Sequence, residues 1–424
     1  MWASAVTKKY LKRCLATLIC VLFIYLFSQS SIIKIQLGAL ETLKEKSLHC
    51  PAGYNMNDFG GNDKLCVEIS RYNSTSPERL KTILMWNLAY GTKDYGLGFG
   101  RDPFYKYKCP DTRCYSTSNR SYLGNIDDYD AILFHQRSFD FNDLPAKRKP
   151  HQRYIHWIIE SAQYLYMDIH KLDGIFNWTM TYRRDSDFYK PYGQFHQVKP
   201  HPEGKELDEY IREFGIKNQH LAHLNKNISS LQAAWFVSHC ATVARREKYV
   251  KAMQNHMDVH VYGKCSHGYT KRRCGRDKEL ECYKMMDKHY KFYLSFENSV
   301  CDDYLTEKYF NIFRYNVIPV SYSGGKFTEM SPPHSSINVL DFTSAKALVK
   351  YLKKVDTNDN LFAEYFWWKD FYVVRQSPED GAQAYCDLCA RLNSPDSPKK
   401  VYNDMFDWWV TKSHCKKLRD KVFQ

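Results

Sequence analysis

The stretch FYLSFENSVCDDYLTEKYFNIFRYNVIPVSYSGG, at positions 292–325, decides the fold of this chain. It starts with Phe292, Leu294 and Phe296 at period two, which predicts a mostly buried β-strand. A polar loop follows. Apolar side chains then recur at the helical period, and a second apolar run predicts another strand. The stretch therefore predicts a strand–helix–strand unit of an α/β fold.

The predicted helix runs from Tyr304 to Tyr315 and is expected to stop at Asn316, because asparagine tolerates left-handed backbone geometry. Glu307 and Lys308 fall in its first turn, where free N–H groups and the helix dipole favour a phosphate group. Open α/β sheets bind nucleotides in such loops, at the carboxyl ends of strands. Two interpretations stay open: a phosphate-binding unit, or an ordinary buried unit with a charged helix start.

Two segments of domain size carry this pattern in the 424-residue chain. Residues 79–228 and residues 229–375 each contain short apolar strands that alternate with helical patterns. A polar helical stretch at 205–226 links them, and residues 376–424 form a cysteine-bearing tail. We therefore predict two facing Rossmann-like domains with the substrates in the cleft between them.

The N-terminus predicts a membrane anchor. Residues 1–13 form a basic tail, and the uncharged run at 14–33 reaches across a bilayer core of about 30 Å at about 1.5 Å per residue. Because the basic flank comes first, the tail is expected in the cytosol and the rest in the lumen, a single-pass type II orientation. A cleaved signal peptide is the alternative. Residues 34–78 have the composition of a short stem.

Cysteines and glycosylation sequons agree with a lumenal location. Of 14 cysteines, Cys14 and Cys20 lie in the predicted anchor, and the others form an even set. In an oxidising compartment such a set predicts disulfides, whose pairing the sequence leaves open. Four asparagines begin N-glycosylation sequons: Asn73, Asn119, Asn177 and Asn227.

The net charge of +14 raises the question of nucleic acid binding. Only short basic runs, such as the one at 271–273, accompany that charge, and none forms a long stripe. An anionic sugar nucleotide or a solvated surface accounts for the excess equally well. The absence of a long basic stripe and the predicted membrane anchor together exclude nucleic acid as a partner.

FYLSFENS, DYLTEK and VIPV, at these spacings, closely resemble the donor-binding signature of the α1,3-fucosyltransferases, glycosyltransferase family 10. The resemblance covers roughly residues 80–390. It implies the GT-B fold and transfer of L-fucose from GDP-β-L-fucose to the 3-hydroxyl of N-acetylglucosamine (GlcNAc), with inversion of the anomeric centre. The implied acceptor is a glycoprotein glycan, either the N-glycan core or a lactosamine-type antenna. No obligatory cofactor is implied, and the expected location is the Golgi membrane.

Glycosyl transfer needs a base for the acceptor hydroxyl and positive charge for the departing diphosphate. Glu160 ends a predicted strand in WIIESA, where a surface carboxylate is the alternative. The family has a catalytic Glu-Ser pair after a Trp-rich strand, and Glu160–Ser161 matches it. The resemblance implies that Lys308 and Arg246 neutralise the diphosphate, although the adjacent Arg245 could replace Arg246 and a solvated helix lysine is the alternative for Lys308.

The remaining donor contacts are also implied by the resemblance. Glu307 can accept hydrogen bonds from both ribose hydroxyls at once. Packing is the alternative role for the aromatic residues, above all for Tyr293. The implied donor-contacting positions are Ser238, Tyr293, Asn298 and Tyr304.

Asp185 and Asp187 form a DxD pair, which binds metal in a different glycosyltransferase fold. Two acids at this spacing are common on loops, so the signal is weak. The surrounding TYRRDSD and PYG belong to the family, so we interpret the pair as acceptor-side or interdomain structure and expect no obligatory metal.

Cys386 and Cys389 form a CxxC pair, which suits either a redox or zinc site or two disulfides. A lumenal chain with no second metal-binding pair nearby favours disulfides. The resemblance implies that the pair bonds back to the first domain, with Cys109 and Cys114 as candidate partners.

Two departures from the family pattern keep another class of protein open. His239 stands where the family usually has asparagine, and a larger run that ends at Asn316 replaces small residues that end in glycine. The alternative is a catalytically silent Golgi protein of the same fold that binds glycans or a GDP-sugar. A related enzyme with another sugar nucleotide is a third interpretation.

Overall fold

A computed structural model describes residues 80–223, 232–266, 279–376 and 379–417. These residues all belong to one compact unit, Arg79–Gln424. The predicted anchor and stem, the sequons at Asn73 and Asn227 and the basic run at 271–273 lie outside them. Across the described ranges, no helix is long and apolar enough to cross a bilayer.

A six-stranded sheet contains the first part of the described chain. Its strands are β1 (Lys81–Met85), β2 (Cys114–Thr117), β3 (Ala131–His135), β4 (Arg153–Ile158), β5 (Trp178–Thr181) and β6 (Phe188–Tyr189). They lie in the order β2-β1-β3-β4-β5-β6, and every neighbouring pair is parallel. Parallel sheets are covered on both faces, which explains why β1 to β5 are buried along nearly their whole length, polar residues included.

A five-stranded parallel sheet forms the second part, in the order β12-β11-β10-β8-β9. After β7 (Gly193–Gln197) its strands are β8 (Gln232–Phe236), β9 (Asp258–Tyr262), β10 (Phe292–Phe296), β11 (Ile318–Tyr322) and β12 (Ile337–Asn338). The predicted strand at 292–296 is confirmed as the central, fully buried β10. β7 pairs in antiparallel fashion with β13 (Tyr372–Gln376), a ribbon that the sequence analysis missed. The prediction of an α/β fold with parallel sheets is confirmed.

Helices cover the sheets and connect the strands. The α-helices are α1 (Asp102–Lys106), α2 (Gly204–Lys217), α3 (Arg246–Met253), α4 (Glu279–His289), α5 (Glu307–Phe310), α6 (Phe327–Met330), α7 (Ala345–Asp356), α8 (Asp359–Glu364), α9 (Glu379–Asn393) and α10 (Met405–Trp409). Short 3₁₀ turns are Ile126–Asp128, Gln136–Ser138, Ile169–Leu172, Gln219–Ala222, Asn311–Arg314, Val339–Asp341, Trp367–Asp370 and Thr411–Ser413.

The helix predicted over 304–315 is shorter than expected and changes type: α5 passes directly into a 3₁₀ turn. Thr306 caps α5, since its side chain accepts a hydrogen bond from the backbone N–H of Lys308. The left-handed stop predicted at Asn316 is wrong, because Asn316 is not among the described residues with positive φ. Its backbone N–H instead donates to Asp287 Oδ1 of α4 at 2.9 Å, so no left-handed cap is needed there.

The cysteine-bearing tail belongs to the core of the first sheet. Tyr385, Cys386 and Cys389 of α9 are buried among residues of that sheet. Disulfides join Cys109 to Cys386 and Cys114 to Cys389, as the resemblance implied. The chain therefore returns to its first sheet after completing the second.

Candidate active site

Glu160 follows β4 at the carboxyl edge of the first sheet and is half-buried. Its Oε1 accepts hydrogen bonds from Tyr304 Oη at 2.6 Å, Asn298 Nδ2 at 3.2 Å and the Ser161 backbone N–H at 3.0 Å. Its Oε2 has no hydrogen-bond partner in the described part of the chain. Glu160 thus meets two residues that follow β10 of the other sheet, and one carboxylate oxygen stays open.

The backbone around Glu160 is fixed from both sides. The Trp157 indole, which is buried in β4, donates to Tyr385 Oη at 2.9 Å. Tyr192 Oη donates to the Ile159 carbonyl oxygen at 2.6 Å. A carboxylate that directly follows a pinned, apolar strand is held at the rim of the sheet, where it can face a substrate.

Tyr304 is a permanent donor to this carboxylate. It is buried, and its ring lies edge-on to Tyr182 with the centroids 4.9 Å apart. Burial raises the pKa of Tyr304 well above its ordinary value, and nearby groups, which include Glu160, add to the shift. The phenol therefore keeps its proton and orients Oε1 of Glu160.

A second acid, Glu297, lies directly after β10 and is fully buried. It accepts hydrogen bonds from the Thr306 backbone N–H at 2.9 Å and from Thr306 Oγ1 at 2.8 Å. Burial raises the pKa of the Glu297 carboxyl, although Lys308 opposes the shift. The sequence analysis missed Glu297, and the available signal was an acid placed immediately after a mostly apolar strand.

Lys308 supplies a cation at the same edge. Its Nζ lies 2.7 Å from Glu307 Oε1, 3.0 Å from Thr306 Oγ1 and 3.6 Å from Glu297 Oε2. Burial lowers the pKa of the Lys308 ammonium, but the negative charges of Glu307 and Glu297 have a larger effect. The pKa of Lys308 is therefore raised above its ordinary value. Because the Lys308 side chain is still 26% exposed, the cation can reach a ligand.

Arg246 begins α3 and is buried. Its guanidinium donates to the carbonyl oxygens of Phe296 and, at 3.1 Å, His239. Burial lowers the pKa of Arg246, and Glu297 opposes that shift. The charge of Arg246 in turn lowers the pKa of Lys308, so both cations act on one region.

Of the other predicted donor contacts, Glu307 and Ser238 are exposed near the carboxyl edge of the second sheet, whereas Tyr293 is buried inside it. Glu307 is exposed beside Lys308, and Ser238 is exposed just beyond β8. Since β8 and β10 pair in parallel, Ser238 and Asn298 follow strands that end at the same edge. Tyr293 is buried in β10, where its ring packs against Phe236 at a centroid distance of 5.4 Å. Those contacts favour the packing role for Tyr293.

Comparison with known proteins identifies the family. The family described as "Fucosyltransferase, N-terminal" matches residues 78–193, and "Glycosyltransferase family 10 (fucosyltransferase) C-term" matches residues 226–408. The chain is 34% identical over 353 residues to Alpha-(1,3)-fucosyltransferase C of Drosophila melanogaster. This alignment covers 78% of this chain and 77% of that protein. The chain belongs to glycosyltransferase family 10. It is therefore an enzyme of the fucosyltransferase class.

Further relatives carry the same name. The family 10 chain is 30% identical over 340 residues to Alpha-(1,3)-fucosyltransferase 7 of Rattus norvegicus, with 79% of this chain and 81% of the relative covered. Among solved structures, an α1,3-fucosyltransferase crystallised with GDP-fucose superimposes with a TM-score of 0.47 at 15% identity, over 78% of this chain and 94% of that one.

The two departures from the family 10 pattern lie in different surroundings. His239 is exposed, and its carbonyl oxygen accepts from Arg246. Tyr315 stacks on Tyr283 with the ring centroids 5.7 Å apart, and Asn316 Oδ1 accepts from Lys369 Nζ at 2.7 Å. The larger side chains therefore interact with their own neighbours in the second half of the chain.

The DxD pair interacts with protein groups. Asp185 forms an ion pair with Arg183. Asp187 accepts from the Thr179 backbone N–H at 3.0 Å, from Tyr402 Oη at 2.8 Å and from Lys400 Nζ at 3.1 Å. No group of three or more His, Cys, Asp or Glu residues that could hold a metal ion occurs where the structure describes the chain.

Two of the predicted glycosylation sites are described. Asn177 is buried, its Nδ2 donates to the Lys400 carbonyl oxygen at 2.8 Å, and its Oδ1 accepts from the Tyr154 backbone N–H at 2.9 Å. A glycan on that nitrogen would need space that the surrounding protein fills, so the folded chain disfavours this site. A sequon by itself carries no information about burial. Asn119 is half-buried and stays a prediction.

The loop after β10 is tied to the C-terminal segment at 411–416. A disulfide joins Cys301 to Cys415, and the Asp302 backbone N–H donates to the Ser413 carbonyl oxygen at 2.9 Å. Cys301 Sγ also lies 3.3 Å from Ser161 Oγ, directly beside Glu160. The segment therefore holds the loop that carries Asn298 and Tyr304 against the predicted base.

We expect the Cys301→Ser/Cys415→Ser variant to lose about 4–5 kcal/mol of unfolding free energy, because the bond closes a loop with a sequence separation of 114. It should also raise the Michaelis constant for the sugar donor, since the loop after β10 loosens. Thermal unfolding and initial rates measure the two effects. The control is Cys114→Ser/Cys389→Ser, whose expected loss of unfolding free energy is smaller, about 2–3 kcal/mol, because the neighbouring Cys109–Cys386 bond still joins the same two segments. If both variants changed the Michaelis constant equally, the bond at Cys301 would have no special positioning role.

Proposed function

We propose that this chain is an inverting α1,3-fucosyltransferase that moves L-fucose from GDP-β-L-fucose to the 3-hydroxyl of GlcNAc in glycoprotein glycans. The observation that carries the proposal is the contact of Glu160 with Asn298 and Tyr304 across the two sheets. It joins the predicted base to predicted donor contacts that lie more than a hundred residues away in sequence. Family membership supports the chemistry.

In the proposed reaction the acceptor O3 attacks the anomeric carbon from the face opposite the diphosphate. The O3–C1 bond forms while the bond from C1 to the β-phosphate oxygen breaks, and that oxygen keeps the electron pair. Oε2 of Glu160, which is open, takes the proton from O3. Tyr304 and Asn298 hold the other carboxylate oxygen and so keep Oε2 directed to the acceptor.

Positive charge supports departure of GDP. Lys308 is a charged, partly exposed group at the start of α5, and the buried Arg246 adds its charge to the same region. The exposed Glu307 carboxylate suits the two ribose hydroxyls. We propose that the donor lies along the carboxyl edge of the second sheet, between β8 and β10, which is where open α/β sheets bind nucleotides.

The proposal also includes a GT-B arrangement of two domains and a location in the Golgi membrane. The two sheets correspond to two facing Rossmann-like domains of GT-B type, with proposed bounds 79–228 and 229–375. The predicted anchor at 14–33 makes the chain a single-pass type II protein of the Golgi membrane. The disulfides of the described chain support a lumenal, oxidising location for the catalytic part.

The proposal is tested by assaying the purified full-length protein with GDP-fucose, GDP-mannose and UDP-galactose in turn. GDP release from GDP-fucose should increase when a glycopeptide that carries GlcNAc is added, and NMR of the product should show an α1,3 linkage. Parallel acceptors with a core or an antennary GlcNAc identify the preferred site. GDP-fucose binding without transfer to any acceptor would support a silent binding protein, and turnover of another donor would overturn the assignment of fucose.

A further inference from the structure

A cavity of about 410 Å³ lies in the first half of the described chain, and its lining contains neither Glu160 nor any residue assigned to the donor. Its volume lies within the range of about 300–1,000 Å³ that small-molecule sites occupy. The lining combines polar side chains with the apolar surfaces of Trp86 and Leu88. It includes Trp86, Asn87, Leu88, Lys93, Arg120 and Asp143.

The topology places this cavity on the same edge as Glu160. Its residues follow β1, β2 and β3, and Glu160 follows β4. All four strands are parallel, so their carboxyl ends meet at one edge. β1 and β4 both flank β3, and two strand spacings of about 4.8 Å separate them by about 10 Å. That distance corresponds to about two linked sugar rings.

Exposed apolar side chains connect the cavity with Glu160. Leu88 lines the cavity and is 48% exposed, and Tyr90, two residues later, is 44% exposed. Tyr90 lies close enough to Glu160 for that carboxylate to help raise its pKa, after burial. Its φ of 50° is uncommon for a residue other than glycine, and such geometry concentrates at functional sites. A sugar ring can pack its C–H face on these side chains.

The walls of the cavity are held in place before any ligand arrives. The Arg120 guanidinium lies 3.6 Å from the Trp86 ring centroid and binds both oxygens of Asp143, at 2.7 and 2.6 Å. The Trp86 indole donates to the Asp143 carbonyl oxygen at 2.6 Å. Fixed walls lower the entropic cost of binding.

Lys93 differs from the other charged side chains of the cavity. It is exposed and forms no hydrogen bond or ion pair with the residues that the structure describes. Its three N–H donors are therefore available to the hydroxyl or acetamido oxygens of a glycan.

We propose that this cavity binds the acceptor glycan about two sugars beyond the reacting GlcNAc, and so selects extended oligosaccharides over a single sugar. The inference rests on the proposed function, because it takes Glu160 as the point where the reacting hydroxyl lies. Lys93 and the Arg120–Trp86 wall bind the distal sugar, and Tyr90 and Leu88 contact the sugar between.

The test compares GlcNAc with its β1,4-linked trimer, using full-length protein in a detergent without sugar groups. Calorimetry in the presence of GDP should show the trimer binding about tenfold more tightly than GlcNAc, the gain expected from one good charge-assisted hydrogen bond. Ser118→Trp, which fills the cavity from its wall, should abolish that gain, and Lys93→Ala should reduce it severalfold. Neither change should alter the dissociation constant of GlcNAc. The control is Lys350→Ala on the exposed face of α7.

Equal affinity of the native protein for trimer and monomer would overturn the subsite, and so would a Ser118→Trp variant that keeps the full gain or weakens both ligands equally. Thermal unfolding of each variant verifies that the fold is retained. Because binding is measured directly, the subsite is tested even without turnover. Loss of transfer with an intact trimer preference would contradict the proposed function alone.

Discussion

Replacing Glu160 by glutamine is expected to lower the rate of fucosyl transfer by about 10²- to 10⁴-fold. The amide keeps the shape of the carboxylate, so Tyr304 and Asn298 can still donate to its oxygen. It cannot take the proton of the acceptor hydroxyl, and the open position at Oε2 becomes an NH₂ group. The Michaelis constant for GDP-fucose should change little, because the donor contacts of Lys308 and Glu307 are untouched.

Initial rates at saturating donor and acceptor measure the effect, and thermal unfolding verifies the fold. Glu213→Gln is the matched control, since Glu213 is an exposed residue of α2 whose ion pair, within the described ranges, is with Lys217. A Glu160→Gln enzyme with native rate would remove Glu160 from proton transfer and leave it a structural partner of Tyr304.

Much of the framework could be predicted because it depends on local patterns. β10 is apolar at every position except Ser295, and its predicted limits are those of the structure. The start of α7 was predictable from Ser344, whose side chain accepts from the Ala347 backbone N–H at 3.2 Å. Such features need only neighbouring residues, so a single sequence carries them.

Features that depend on distant residues were not predictable. The stop expected at Asn316 failed because Asp287, on another helix, satisfies its backbone N–H. The contact between Glu160 and Asn298 joins residues 138 apart in sequence, and only the family resemblance pointed to both. The return of α9 to the first sheet likewise depends on tertiary packing around Tyr385.

In the candidate site, too, the features set by neighbouring residues were predictable and those set by distant residues were not. Glu307 and Lys308 were expected at the first turn of a helix, and α5 begins with them. Glu297 was missed, because a buried acid is normally excluded from a core unless it has partners. Its partners, Thr306 and Lys308, become apparent only once the loop after β10 folds back.

Replacing Lys308 by methionine is expected to weaken GDP binding by about 10- to 100-fold, the effect of losing a charge-assisted hydrogen bond to phosphate. The same change should destabilise the fold. Glu297 is fully buried, and removal of the Lys308 ammonium leaves its carboxylate with the Thr306 hydrogen bonds and the charge of Arg246 to compensate it. Breaking a buried pair costs about 3–5 kcal/mol, and the partial exposure of Lys308 makes the expected loss smaller.

A second substitution separates these two roles of Lys308. In the Glu297→Gln/Lys308→Met variant the buried acid is neutral, so thermal stability should recover while GDP affinity stays low. Calorimetry gives the dissociation constant, and Lys350→Met on α7 controls for loss of one surface charge. If GDP affinity returned together with stability, Lys308 would act only by neutralising Glu297, and the diphosphate would depend on Arg246. If affinity stayed low in a stable double variant, the ammonium itself would be the phosphate contact, as its partly exposed position beside Glu307 leads us to expect.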